Sequence, residues 1–177
     1  MQEPNSEITT ASTEKQLIKF LLASVFFLFV GTVHGVLQIQ PPIRAWLDSI
    51  GSPYGGPGHM IDPLAHAHIN LVGGVVLLCM AVVYHLLPKF SGQAIYSRRL
   101  INHTFWWTTL GVCGFYSTLM IFGYLEGSLL LENELDAMAD VHRIYTPVIA
   151  TVSTVMGIGF WVFFFNILVT AKRIYKK

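Results

Sequence analysis

The chain has 177 residues, enough for one ordinary domain, yet 53% of them are hydrophobic and only 12% are charged, about half the charged share of a typical globular protein. Eleven Lys and Arg against ten Asp and Glu leave a net charge of +1, which supplies no basic face for nucleic acid and no acidic tail. The two cysteines, Cys79 and Cys113, both lie in apolar runs, which excludes a disulfide framework, a zinc knuckle and a covalently attached c-type heme.

Charge placement sets the architecture. Four windows contain no Asp, Glu, Lys or Arg: 20–43, 63–88, 100–125 and 144–171. Each exceeds the roughly 20 residues a helix needs to cross a bilayer core, and lipid satisfies no backbone polar group, so helices are expected. The reading is an all-α integral membrane protein, one membrane domain over 1–177, with transmembrane helices at about 17–38, 64–87, 105–125 and 147–169. Residues 1–16 form a polar tail with Glu3, Glu7 and Glu14, without the basic start and early apolar stretch of a cleavable signal, so the first helix should remain as an anchor.

Four crossings put both termini and the loop after the second helix on one side. That side holds nine basic residues against three acids, whereas the other holds Arg44 and Arg143 beside seven acids. By the positive-inside rule both termini are cytoplasmic. This implies a multi-pass protein of a cell inner (cytoplasmic) membrane.

In chain order, the first outer connector (39–63) is rich in Pro and Gly and is expected to be an irregular loop. The second, Glu126 to Arg143, is acidic and is expected to hold a short helix outside the membrane before Pro147 starts helix four. Five of the seven histidines fall at the outer ends of the spans: His34, His59, His66, His68 and His142. Ionisable side chains at membrane depth are costly and ordinarily line an interior site. His66 and His68 differ by about 200° around a helix and so address different neighbours. The His66 face continues through Asn70 and Gly73, and helix four carries a similar stripe, His142, Thr146, Ala150, Ser153 and Gly157. Such stripes suit either a flat cofactor or close helix packing.

Segments 62–68 and 136–142 share Asp, Ala and a final His at an offset of 74 residues. A parallel repeat of this kind would put His68 and His142 at equal depth on two parallel helices, as the two axial ligands of one heme. His34 is the alternative partner of His68.

The run Ala65-His66-Ala67-His68-Ile69-Asn70-Leu71, followed by Leu86-Leu87-Pro88-Lys89-Phe90-Ser91-Gly92, resembles the catalytic subunit I of heme-copper oxidases and nitric oxide reductases. The likeness extends through Phe105-Trp106-Trp107 and Gly123-Tyr124-Leu125-Glu126-Gly127, and the whole is most similar to small four-helix relatives of that subunit. The resemblance implies a high-spin heme role for His66 and a low-spin role for His68, with His34 in a segment like that of the family's low-spin ligand. The chain departs from the family in having no adjacent His pair and no His-x-x-x-Tyr, which the second metal requires.

The expected function is a heme b-binding membrane subunit, with one heme or two, that carries electrons within a respiratory complex and is not catalytic alone. Its partners would be other membrane or periplasmic subunits, a cytochrome or quinol, and the bilayer, with no nucleic acid. Heme iron is assigned to His68 and His142, then to His66 and His34. The alternatives are a cofactor-free structural or assembly subunit, a second heme at His85 and His103, and a copper site from His34, His59, Met60 and His66.

Overall fold

The computed structural model describes residues 4–175, with side chains from residue 14 onward. Five helices account for nearly all of it: α1 (Pro4–Gln38), α2 (Pro41–Ser49), α3 (Gly56–Ser91), α4 (Arg98–Leu131) and α5 (Leu135–Ile174). There is no strand among the described residues. Four of these helices are long and apolar enough to cross a membrane, over Glu14–Gln38, Gly56–Ser91, Arg98–Leu131 and Leu135–Ile174, so the protein is an all-α membrane bundle. At about 1.5 Å per residue the last three exceed a hydrocarbon core of about 30 Å, and their ends extend beyond it.

Three sequence expectations change. The helix expected from residue 17 already runs from Pro4, because 5–16 contains neither Gly nor Pro to stop it. The connector at 39–63 is not irregular: it holds α2, whose Pro41 and Pro42 sit in a first turn that needs no N–H donor, and α3 begins at Gly56. The acidic connector contains no separate helix. Helix α4 continues through Leu131, and α5 starts at Leu135 with Pro147 well inside it. The reversal needs three residues: Asn133 takes φ 61°, its N–H bonds the Leu130 carbonyl (3.2 Å), and the Glu134 N–H bonds Leu129 O (2.9 Å), a Schellman ending.

Helix α3 is kinked and partly π-helical. Asp62 leaves helical geometry (φ −132°, ψ 112°), and the stretches Met60–Ala65 and Ile69–Val76 make i→i+5 bonds on either side of His66–His68.

Helices α1, α3 and α4 form a three-sided group, and α5 is attached mainly to α4. Phe20 of α1 packs edge-on against Phe105 of α4 and Tyr84 of α3. The α4–α5 seam closes through glycines: a Cβ at Gly159 would lie 2.6 Å from Thr108 N and 3.0 Å from its Cα, and one at Gly114 would lie 2.9 Å from Val152. At the end near Ser97, buried Asn166 of α5 accepts from Ser97 N–H (3.1 Å) and donates to Ser97 O (3.0 Å), while Thr170 Oγ1 accepts from Tyr96 N–H (3.0 Å).

At the opposite end Arg44 of α2 holds three groups. Its guanidinium donates to Asp48 (2.9 Å), to Asp62 (2.6 Å) and to Ser52 Oγ (2.7 Å), and Ser52 Oγ donates to Asp62 (3.0 Å). The hydrogen bonds of Asp48 and then Asp62 raise the pKa of Arg44 above its ordinary value. This cluster ties α2 to the kink of α3.

Candidate functional site

The sequence-predicted histidines divide among three places. His34 of α1 and His66 of α3 come together, with ring centroids 5.3 Å apart. His66 Nδ1 accepts from Gln38 Nε2 (3.0 Å), and its Nε2 packs against Gly35, where a Cβ would lie 3.0 Å away. The small-residue stripe below His66 is filled by α1: Asn70 lies over Gly31, and Gly73 over Phe27. Helix packing therefore occupies that face.

His68 turns the other way, toward α4. Its Nδ1 donates to Leu64 O (2.8 Å), and its ring lies 4.4 Å from that of Phe115. His142 of α5 is exposed, and its Nδ1 donates to Glu126 of α4 (3.0 and 3.2 Å). Glu126 itself is only 3% exposed. The sequence reading counted it among the outer loop acids, but the continuation of α4 past it places it inside the bundle.

Helix α4 serves as a depth scale. His34 hydrogen-bonds Tyr116 and His68 stacks on Phe115, so these two histidines lie at one level. His142 meets Glu126, eleven residues or about 16 Å farther along α4. The structure thus brings His34, His66 and His68 to a common level and does not bring His142 to it. The outward stripe of α5 also stands apart: Thr146 and Ala150 are exposed, and a Cβ at Gly157 would meet only Trp161.

The remaining candidates separate. His59 Nδ1 bonds Pro53 O, and Met60 packs with Ala65 and Leu119. His85 lies 4.0 Å from Glu14 on the α1 side, whereas His103 lines a different cleft with Arg98 and Arg99. Among the described residues no group of three or more His, Cys, Asp or Glu is placed to hold a metal ion.

One site stands out by chemistry. A cavity of about 370 Å³ opens between α1, α2 and α4, walled by apolar side chains such as Phe29, Val33, Trp46 and Met120. His34 and Gln38 line it. His34 is 7% exposed, its Nδ1 lies 3.3 Å from Tyr116 Oη, and its Nε2 is buried with no hydrogen-bond partner. Gln38 Oε1 is likewise buried and unpartnered. Buried polar atoms ordinarily find partners, so this pair, on residues that line an apolar cavity, makes the cavity a candidate ligand site. Sequence reasoning missed Tyr116, Gln38 and Glu126. Gln38 was accessible to it, being one helical turn from His34.

The family model for cytochrome c and quinol oxidase polypeptide I matches residues 8–158. The cytochrome c oxidase subunit 1 of Rhodobacter capsulatus is 27% identical over 142 residues, covering 70% of this chain and 26% of that protein. A Cbb3-type cytochrome c oxidase subunit CcoN1 of Stutzerimonas stutzeri is 26% identical over 113 residues (63% and 22%). A probable cytochrome c oxidase subunit 1-alpha of Streptomyces coelicolor is 30% identical over 152 residues (84% and 23%). The matched region spans about a quarter of the length of these relatives. With the family model covering most of the chain, from α1 into α5, the protein belongs to the cytochrome c and quinol oxidase polypeptide I family.

Proposed function

We propose that the chain is a heme b-binding, electron-carrying part of a respiratory oxidoreductase complex in a cell inner membrane, with both termini cytoplasmic. The observation that carries this reading is the buried, unpartnered Nε2 of His34 on the wall of an apolar cavity of about 370 Å³. In the tautomer that donates Nδ1–H to Tyr116 Oη, a neutral His34 keeps its Nε2 lone pair uncommitted, the disposition of a ligating histidine. His68 has the same disposition, because Leu64 O takes its Nδ1–H.

His34 would hold a heme from the cavity wall, whereas His68, which does not line that cavity, would hold one on its α4 side, with His66 as their neighbour at the same level. His142 is a further candidate, its Nδ1–H oriented by Glu126, but at another depth it would serve a separate group. When bound, the heme would supply one-electron transfer. The protein's own part is to fix ring tautomers and orientation, and to keep water away with Phe29, Val33 and Met120. A cytochrome or a quinol would exchange electrons with it, and further membrane or periplasmic subunits would complete the complex. Because these 177 residues contain neither an adjacent His pair nor a His-x-x-x-Tyr pattern, we assign them a share of the redox chain rather than oxygen chemistry.

A cofactor-free structural or assembly subunit is the second reading. It is supported by α5, where only 6% of the most apolar stretch is buried within the chain, leaving a surface for a partner. Oxidised and dithionite-reduced spectra of the purified full chain separate the two. Low-spin heme bands that vanish in His34→Ala or His68→Ala and persist in His85→Ala support the first. A spectrum without heme after expression with excess heme supports the second.

A further inference from the structure

The end of the bundle remote from the histidine cluster holds a cleft of about 430 Å³ between α1 and the first turns of α4, lined by Gln16, Arg98, Arg99, Asn102 and His103. We propose that this cleft binds the phosphodiester headgroup of an anionic phospholipid whose acyl chain lies along Trp106 and Leu110.

Among the described residues the lining is polar throughout and includes no carboxylate. Two guanidinium groups suit the paired oxygens of a phosphate, to which Arg donates in bidentate fashion. Among the described residues neither arginine forms an ion pair. A third cation stands at the edge: Lys19 of α1 donates to Asn102 Oδ1, and its ammonium lies 4.6 Å from the Phe105 ring centroid. The acid closest along α1, Glu14, lies against His85 in a separate groove with Ala81 and Val82, so it does not neutralise the cleft. The start of α4, where Ser97 Oγ caps the Leu100 N–H, adds the positive end of its helix dipole to the same field.

A second observation points to a lipid rather than to free phosphate. Arg99, His103, Trp106 and Leu110 are spaced four, three and four residues apart, so they form one stripe of α4. Trp106 is 51% and Leu110 57% exposed, and the stripe continues outward through exposed Cys113 and Ile121. The polar cleft therefore opens directly onto the exposed apolar side chains of Trp106 and Leu110, with a tryptophan at the junction where interfacial tryptophans sit. Inorganic phosphate would use the first part and not the second. A zwitterionic choline lipid would bring a cation to a lining that has no acid to receive it. Basic clefts between helices at this side of a membrane suit anionic headgroups, each nearby Lys or Arg contributing about fivefold in affinity.

The test uses the full chain purified in detergent and titrated with dioleoyl-phosphatidylglycerol, dioleoyl-phosphatidylcholine or inorganic phosphate, bound lipid being counted by native mass spectrometry. The expected result is retention of phosphatidylglycerol well above phosphatidylcholine, undiminished by millimolar phosphate. The double variant Arg98→Gln/Arg99→Gln should bind phosphatidylglycerol roughly 25-fold more weakly, fivefold for each charge, while Lys172→Gln leaves binding unchanged. Arg98→Lys/Arg99→Lys should recover most of the loss. A second measurement needs no arginine variant: brominated phosphatidylglycerol should quench tryptophan fluorescence more than brominated phosphatidylcholine, and the difference should vanish in Trp106→Phe. Equal binding of both lipids, unchanged binding in a helical double Gln variant, displacement by phosphate, or a quenching difference that survives Trp106→Phe would each overturn the proposal.

Discussion

Replacing Gly159 by Ala tests whether α5 is held by backbone contact at the α4 seam. The added Cβ would lie 2.6 Å from Thr108 N and 3.0 Å from Thr108 Cα, so it meets backbone that cannot rotate aside. Relief requires α4 and α5 to separate locally, and overpacking of this kind costs about 1–3 kcal/mol. Gly157, two residues earlier, is the matched control: its Cβ would meet only Trp161 at 3.8 Å. There the same change should be neutral or gain about 0.5–1 kcal/mol from helix propensity. The propensity gain is common to both variants, so they should differ by the overpacking cost, about 1–3 kcal/mol. Unfolding in mixed micelles titrated with sodium dodecyl sulfate and followed by far-ultraviolet circular dichroism measures the difference. If Gly159→Ala unfolds at the same detergent fraction as Gly157→Ala, the seam is not a backbone contact and the attachment of α5 rests on something else.

Three further outcomes are expected. A reporter fused after Lys177 should be active only in the cytoplasm, and Tyr54→Cys should react with an impermeant thiol reagent added outside; Tyr54 is 96% exposed, whereas neighbouring Ser52 is buried between Arg44 and Asp62. Arg44→Met should destabilise the chain by about 1–3 kcal/mol, because Asp62 and Ser52 lose their donor, and thermal unfolding of purified protein measures the loss. Asn166→Leu should cost a similar ~1–3 kcal/mol, since it leaves the buried Ser97 amide and carbonyl without partners, and hydrogen exchange at Tyr96 and Ser97 should rise.

The four spans were legible because charge-free windows longer than a bilayer crossing leave few other structures. Their ends were not. Pro41, Pro42 and Pro147 were read as breakers or starters, yet the first two begin α2 and the third lies inside α5, where a long apolar helix tolerates it. The opposed faces of His66 and His68 followed from helical pitch, and the structure turns one to α1 and the other to α4. The depth of His142 did not follow from the 74-residue offset. Depth depends on where α4 turns into α5, and that is decided locally by Asn133 in its left-handed conformation. Tyr116 and Gln38 became visible only once α1 lay against α4, since no local spacing links residue 34 to residue 116.

The π-helical stretch at Ile69–Val76 separates the rotational phase of α3 into two halves. Relative to an α-helix, each π turn accommodates an extra residue, so the chain before it is rotated about 100° with respect to the chain after it. Removing a single residue there, Val75 for example, would restore ordinary pitch while leaving Leu77, Met80 and Tyr84 in their buried positions. The whole segment carrying His66 and His68 would swing by that angle, taking His66 away from His34 and His68 away from Phe115. The direction in which the histidine pair points is thus adjustable by insertion or deletion alone, without a change in any residue that packs the other half of the helix.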